Sequence, residues 1–191
     1  MNLSNKDDNE VMIDIETLST KNNACILTIG AIKFNRTNTS LKSLEELTKE
    51  KKTFYVRINR KSCLLLGMDV DVKTIEWWNT LPEEVRYEAI YNQENRMEIR
   101  HALKQLSEFL IGINLFWSQG SFDYNILENA YKVCNMPLPW KYWQIRDSRT
   151  IFDFLNVDLK SIKIDGTNSH NALDDSYKQI LGIKSCKKNI L

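Results

Sequence analysis

Apolar residues in this chain recur with two different periods, and the switches between them mark out its elements. Residues 11–16 open with an apolar run and end in alternating acids, the pattern of a strand whose start is buried. Residues 24–34 form a second apolar run rich in β-branched side chains, which predicts another strand. In residues 53–58, Phe54, Val56 and Ile58 alternate with Tyr55 and Arg57, predicting a third. The polar link between strands two and three carries a short helical or irregular excursion over residues 41–47.

The period then lengthens. Helices are expected over 71–79, with Asp71 or Thr74 as cap, and over 82–90, opened by Pro82. Residues 96–111 place Ile99, Leu103, Leu106, Phe109 and Leu110 at helical spacing. A strand at 114–117, a helix at 121–134, a strand at 142–145 and helices at 147–155 and 169–183 complete the pattern. Three strands followed by alternating helices and strands imply a mixed sheet covered by helices, an α/β layer fold.

A length of 191 residues suits one domain. We expect a polar N-terminal segment over 1–9, a single domain over 10–184 and a basic tail over 185–191. With 42% hydrophobic and 27% charged residues, the composition is that of a soluble globular protein. No signal peptide or membrane-spanning run is present in the sequence, so no membrane partner is expected. The four cysteines have neither CxxC nor metal-like spacing; buried free thiols fit a reducing, cytoplasmic setting. A net charge of +1 does not announce a nucleic-acid binder. Bound cations would nevertheless add positive charge where a phosphate must sit.

The chemistry concentrates in three acidic segments. Asp14 and Glu16 are two positions apart on a strand, so both carboxylates share a face at its end. Asp123 follows the fourth strand in Ser118-Gln119-Gly120-Ser121-Phe122-Asp123. His170 and the adjacent Asp174 and Asp175 lie near the other end of the chain. Acids brought together repel one another unless divalent cations neutralise them. The set suggests a metal-dependent site that cleaves phosphodiesters.

These segments resemble the three motifs of the DnaQ-like 3′-5′ exonucleases: Asp14-Ile15-Glu16-Thr17, then Phe122-Asp123, then His170 with Asp175 in the H-x4-D form of the DEDDh branch. The segments Thr74-Ile75-Glu76-Trp77-Trp78, 140–147 and Arg149-Thr150 are similar to the small bacterial and phage exonucleases related to exodeoxyribonuclease VIII, a group that includes a mycobacterial exoribonuclease. The resemblance implies a ribonuclease H-like mixed five-stranded sheet flanked by helices. It further implies two Mg²⁺ or Mn²⁺ ions held by Asp14, Glu16, Asp123 and Asp175, with His170 as general base. Helical spacing from His170 alone would favour Asp174; the motif favours Asp175, with His170 in a loop that Gly166 helps to form. The partners expected are single-stranded or 3′-overhang DNA or RNA, with a homodimer left open.

Several residues carry competing readings. In a helix, Trp77 and Trp78 point about 100° apart, so one belongs to the core and the other can stack on a terminal base. Phe122 is a second stacking candidate, against plain packing. By resemblance, Leu18 would wedge against the base and the Thr17 backbone would meet the 3′ end. Arg146 and Arg149 are candidate phosphate contacts, although Arg149 could pair with Asp153 at i+4. Asp147 reads as a helix cap. The function expected is release of nucleoside 5′-monophosphates from a 3′ end. The alternatives are an oligoribonucleotide or cap-like pyrophosphate hydrolase, and a proofreading or nucleic-acid-binding subunit.

Overall fold

The computed structural model describes residues 8–188 apart from 39, 163 and 165–169. Gly166, most of the expected N-terminal segment and the end of the tail lie outside the described residues.

The elements in chain order are β1 (Glu10–Thr17), β2 (Ile26–Phe34), α1 (Leu44–Lys49), β3 (Thr53–Arg57), α2 (Arg60–Leu64), α3 (Val72–Asn79), α4 (Glu83–Arg86), α5 (Ile99–Phe109), β4 (Leu115–Ser118), α6 (Phe122–Val133), β5 (Ile145–Asp147), α7 (Ser148–Phe154) and α8 (Ala172–Lys188). One π-helical turn (Tyr87–Tyr91) continues α4, and short 3₁₀ turns span Tyr142–Gln144 and Leu159–Ser161. The five strands form one sheet in the order β3-β2-β1-β4-β5. β1 runs antiparallel to β2 and parallel to β4, so the sheet is mixed and β1 is its middle strand.

Strand parity decides what each face of β1 carries. Val11, Ile13 and Ile15 point into a core built with Ala102, Leu103 and Leu106 of α5 and Ile126, Leu127 and Ala130 of α6. Met12 points to the opposite face, where it packs with Ile32, Phe34, Trp117, and Tyr177, Ile180 and Ile183 of α8. Each buried Val, Ile, Leu, Met or Phe side chain among them contributes about 1.5–3 kcal/mol relative to exposure. Asp14 and Glu16 have the parity of Met12. They therefore face the α8 side, just where its apolar core runs out.

The approach of α8 depends on Gly30. In the β1–β2 register Asp14 pairs with Gly30 and Glu16 with Thr28. A Cβ on Gly30 would lie 2.3 Å from the Ala172 carbonyl carbon and 2.4 Å from the Leu173 nitrogen. The start of α8 thus rests directly on strand backbone, which only glycine permits.

Caps fix the helix starts that aim the site. Asp71 accepts from the Lys73 amide at α3, and Asp147 accepts from the Arg149 amide at α7. Residues 142–145 do not form the expected strand. Lys141 and Gln144 close a 3₁₀ turn there, and the strand begins at Ile145. Helix α2, capped by Asn59, was not expected from the pattern.

Candidate active site

The described structure brings Asp14, Glu16, Asp123, His170 and Asp175 into one cavity of about 470 Å³ at the end of β1. Asp14 and Glu16 come from the strand. Asp123 sits in the first turn of α6, and its Oδ1 accepts the Ile15 amide at 3.1 Å, which ties the second acidic segment to the first. Asp175 sits in the first turn of α8, where its Oδ2 accepts the His170 amide at 2.8 Å. His170 precedes that helix with φ 64°, a left-handed conformation uncommon for a residue bearing Cβ. Asp174, the neighbour that helical spacing would have chosen, does not line the cavity.

The imidazole of His170 meets Trp77 edge-on at 5.0 Å between ring centres and Trp78 at 6.3 Å. One ligand-capable atom from each of Glu16, His170 and Asp175 lies within 4.8 Å of the others.

The electrostatics are those of crowded anions. Burial, followed by repulsion from Asp123, Glu16 and Asp175, holds the Asp14 carboxyl far above the usual carboxylate range. Burial, then Asp175 and Asp123, does the same to Glu16. Burial pushes Asp123 up to about 7 and Asp175 up to about 6. Burial alone lowers His170, favouring neutral imidazole. Two buried side-chain oxygens without a hydrogen-bond partner flank the acids: Thr28 Oγ1, whose residue is opposite Glu16, and Gln179 Oε1, on the amide that bonds Asp14. Four hard oxygen donors with little positive charge among them fit divalent cations.

Beside the acids lies a second cavity of about 540 Å³, lined by Ile15, Glu16, Thr17, Trp77, Trp78 and Phe122 among others. The two tryptophans divide as their spacing requires. Trp78 is 1% exposed and donates from Nε1 to the Thr17 carbonyl at 2.9 Å. Trp77 is 44% exposed. Phe122, partly exposed, borders both cavities.

Two residues expected at the substrate lie outside both cavities. Leu18 is 1% exposed, packs in the core and lines neither cavity. Its amide bonds the Cys25 carbonyl and its carbonyl accepts from Asp71, which turns the side chain inward. Arg146 donates from Nη1 to the carbonyls of Trp143 and Ile145 and is likewise absent from both linings. Arg149 does line the acid cavity. It donates to the Gln119 carbonyl at 3.2 Å and makes no described ion pair with Asp153. Gly120 beside it has φ 96°, and its amide is held by Asp147. Sequence reasoning missed Gly30 and Gln179, because nothing local marks either residue.

Acids converging at the end of the middle strand of a mixed five-stranded sheet form the ribonuclease H-like arrangement. The nuclease domain of 3′hExo, a DEDDh family member solved bound to rAMP, has the same fold: TM-score 0.59 at 12% identity, covering 95% of this chain and 92% of that one. A full-length 3′-exonuclease gives TM-score 0.56 at 13% identity, covering 95% and 82%. An exodeoxyribonuclease of Enterobacteria phage T4 is 24% identical over 204 residues, 92% of this chain and 87% of the phage protein. The Rv2179c-like 3′-5′ exoribonuclease domain matches residues 9–186, and the chain belongs to that family. By that membership it is a 3′-5′ exonuclease on a ribonuclease H-like fold. No helix among the described residues is long and apolar enough to cross a membrane.

Proposed function

We propose that this exonuclease removes nucleoside 5′-monophosphates one at a time from the 3′ end of single-stranded or overhanging RNA or DNA, acting in the cytoplasm. The observation that carries this reading is the adjacency of the two cavities. A buried acid cluster lies beside an apolar cavity walled by Trp77, Trp78 and Phe122, which suits the last nucleoside of a strand.

Asp14, Glu16, Asp123 and Asp175 would hold two Mg²⁺ or Mn²⁺ ions. Such a pair would supply activation of the attacking water and charge stabilisation at the entering and leaving oxygens. His170 accepts the proton of that water. Its neutral form is favoured by burial, and the Asp175 contact to its amide fixes where the ring begins. Trp77 and Phe122 stack on the terminal base, while Trp78 holds the Thr17 backbone that meets the 3′ end. Arg149 faces the phosphate from the α7 side, where it already lowers the cost of ionising Asp123.

The test uses the purified chain with 5′-labelled RNA and DNA oligomers, Mg²⁺ or Mn²⁺, and resolution of the products. A stepwise ladder from the free 3′ hydroxyl, abolished by EDTA and by a blocked 3′ end, is expected for at least one sugar. Rapid cutting of a closed circular strand would overturn the end-directed reading.

A further inference from the structure

One buried polar side chain at the acid cluster is assigned no role by the exonuclease reading. Gln179 lies on α8 one turn beyond Asp175, so the two share a face of the helix. It is 2% exposed and lines the acid cavity. Its Nε2 donates to Asp14 Oδ1 at 2.8 Å, joining residues 165 positions apart in the chain. Its Oε1 is buried without a partner.

That combination is hard to explain by packing. A methionine would fill nearly the same space beside Ile180 and Ile183 of the same helix, and would leave no buried oxygen unpaired. What glutamine adds is a donor. A carboxylate that holds a cation is ionised and only accepts, so the amide must present its NH₂ to Asp14 and leave its oxygen behind. A lysine could also reach, but its charge would cancel the negative charge that attracts a cation. Glutamine orients the carboxylate and leaves its charge intact.

We infer that Gln179 is a positioning residue for the exonuclease reaction: it fixes the rotation of the Asp14 carboxylate through Oδ1 and so prepares that acid to bind a divalent cation. The inference rests on the proposed role of Asp14 as a metal-holding residue.

Calorimetric titration of the full chain with Mn²⁺ separates the two. Wild type should bind Mn²⁺ and Asp14→Asn should bind it far more weakly; if wild type binds none, the metal-site reading itself fails and takes this inference with it. Given that result, Gln179→Met should lose about 10–100-fold in Mn²⁺ affinity, the usual effect of removing an outer-shell partner. Its kcat should fall while KM for a single strand holds, and its metal-free melting temperature should be unchanged or higher. Gln179→Lys keeps a donor and adds charge. It should melt higher without metal and bind Mn²⁺ more weakly than wild type, which keeps the test open if the methionine variant does not fold. Wild-type Mn²⁺ affinity in either folded variant, whatever its melting temperature, would reduce Gln179 to a packing residue and overturn the inference.

Discussion

Replacing Gly30 with alanine should damage stability and catalysis together, because one methyl group would wedge apart the two elements that carry the acids. The added Cβ would sit 2.3–2.4 Å from the backbone of Ala172 and Leu173. Carbon atoms in contact prefer about 3.5–4.0 Å, so α8 must retreat by more than about 1 Å. The obstructing atoms are backbone, and no rotamer change can relieve the clash. Overpacking typically costs about 1–3 kcal/mol, and a backbone clash belongs at the upper end. For a domain of this size, about 3 kcal/mol corresponds to roughly 6–12 °C in melting temperature. Asp175 and Gln179 ride on α8, whereas Asp14 sits opposite Gly30 on the strand. A displacement of about 1 Å between catalytic groups can cost about 10²-fold in rate. Gly182→Ala is the control. Its Cβ would meet the side chains of Leu159 and Phe152 at 2.7–2.9 Å, and these can yield where backbone cannot. It should lower melting without a comparable loss of kcat. The assay is scanning calorimetry beside steady-state cleavage of a 5′-labelled strand with a free 3′ hydroxyl. Near-wild-type melting in Gly30→Ala, or lowered melting with full activity, would refute the argument.

The remaining predictions concern the charges and rings around the same cavity. The metal-free protein should become less stable as pH rises from about 4 toward 7. Asp123 and Asp175 are raised to about 7 and about 6, so the folded state binds more protons than the unfolded one across that window. Mn²⁺ should reverse the trend at the upper end, and denaturant midpoints with and without metal would show it; a metal-free midpoint that climbs with pH contradicts the crowding of acids. Trp78→Ala should destabilise by about 3–5 kcal/mol, whereas Trp77→Ala should raise KM by the equivalent of about 1–3 kcal/mol with little change in melting. Equal unfolding of both variants would remove Trp77 from substrate binding. His170→Ala should slow cleavage by about 10²–10⁴-fold while leaving Mn²⁺ affinity largely intact. In wild type the rate should rise with pH through a histidine pKa lowered by burial and then level off. Lost Mn²⁺ affinity in the alanine variant would move His170 into the metal shell, alongside Glu16 and Asp175.

What the sequence made legible follows strand and helix period closely. Two acids at i and i+2 at the end of an apolar strand had to share a face, and the three-strand start with later alternation of helix and strand had to give a mixed sheet. The split between Trp77 and Trp78 followed from helix geometry in the same way. The illegible parts depend on what another segment does. Leu18 was expected at the substrate; the turn after β1 folds back onto Cys25 and Asp71, and a single apolar residue does not announce that direction. Arg146 is taken up by nearby carbonyls because the 3₁₀ turn ahead of β5 brings them within reach. Gly30 and Gln179 gain their meaning only when α8 is laid across β1 and β2, a contact between residues more than a hundred positions apart.

The contribution of α8 to the acid cluster has a consequence for how the protein is made. Translation delivers Asp14, Glu16 and Asp123 long before Asp175, and the bond between Gln179 and Asp14 joins the first strand to the last helix. A ribosome-bound fragment that ends before α8 lacks both the fourth carboxylate and the helix that shields Met12, Ile32 and Phe34. Its exposed apolar face disfavours compact folding, and domains fold as units once their parts are present. The order of the segments along the chain thus acts as a timer. The four acids can converge only after the segment that carries α8 has been made, later than Asp14, Glu16 and Asp123.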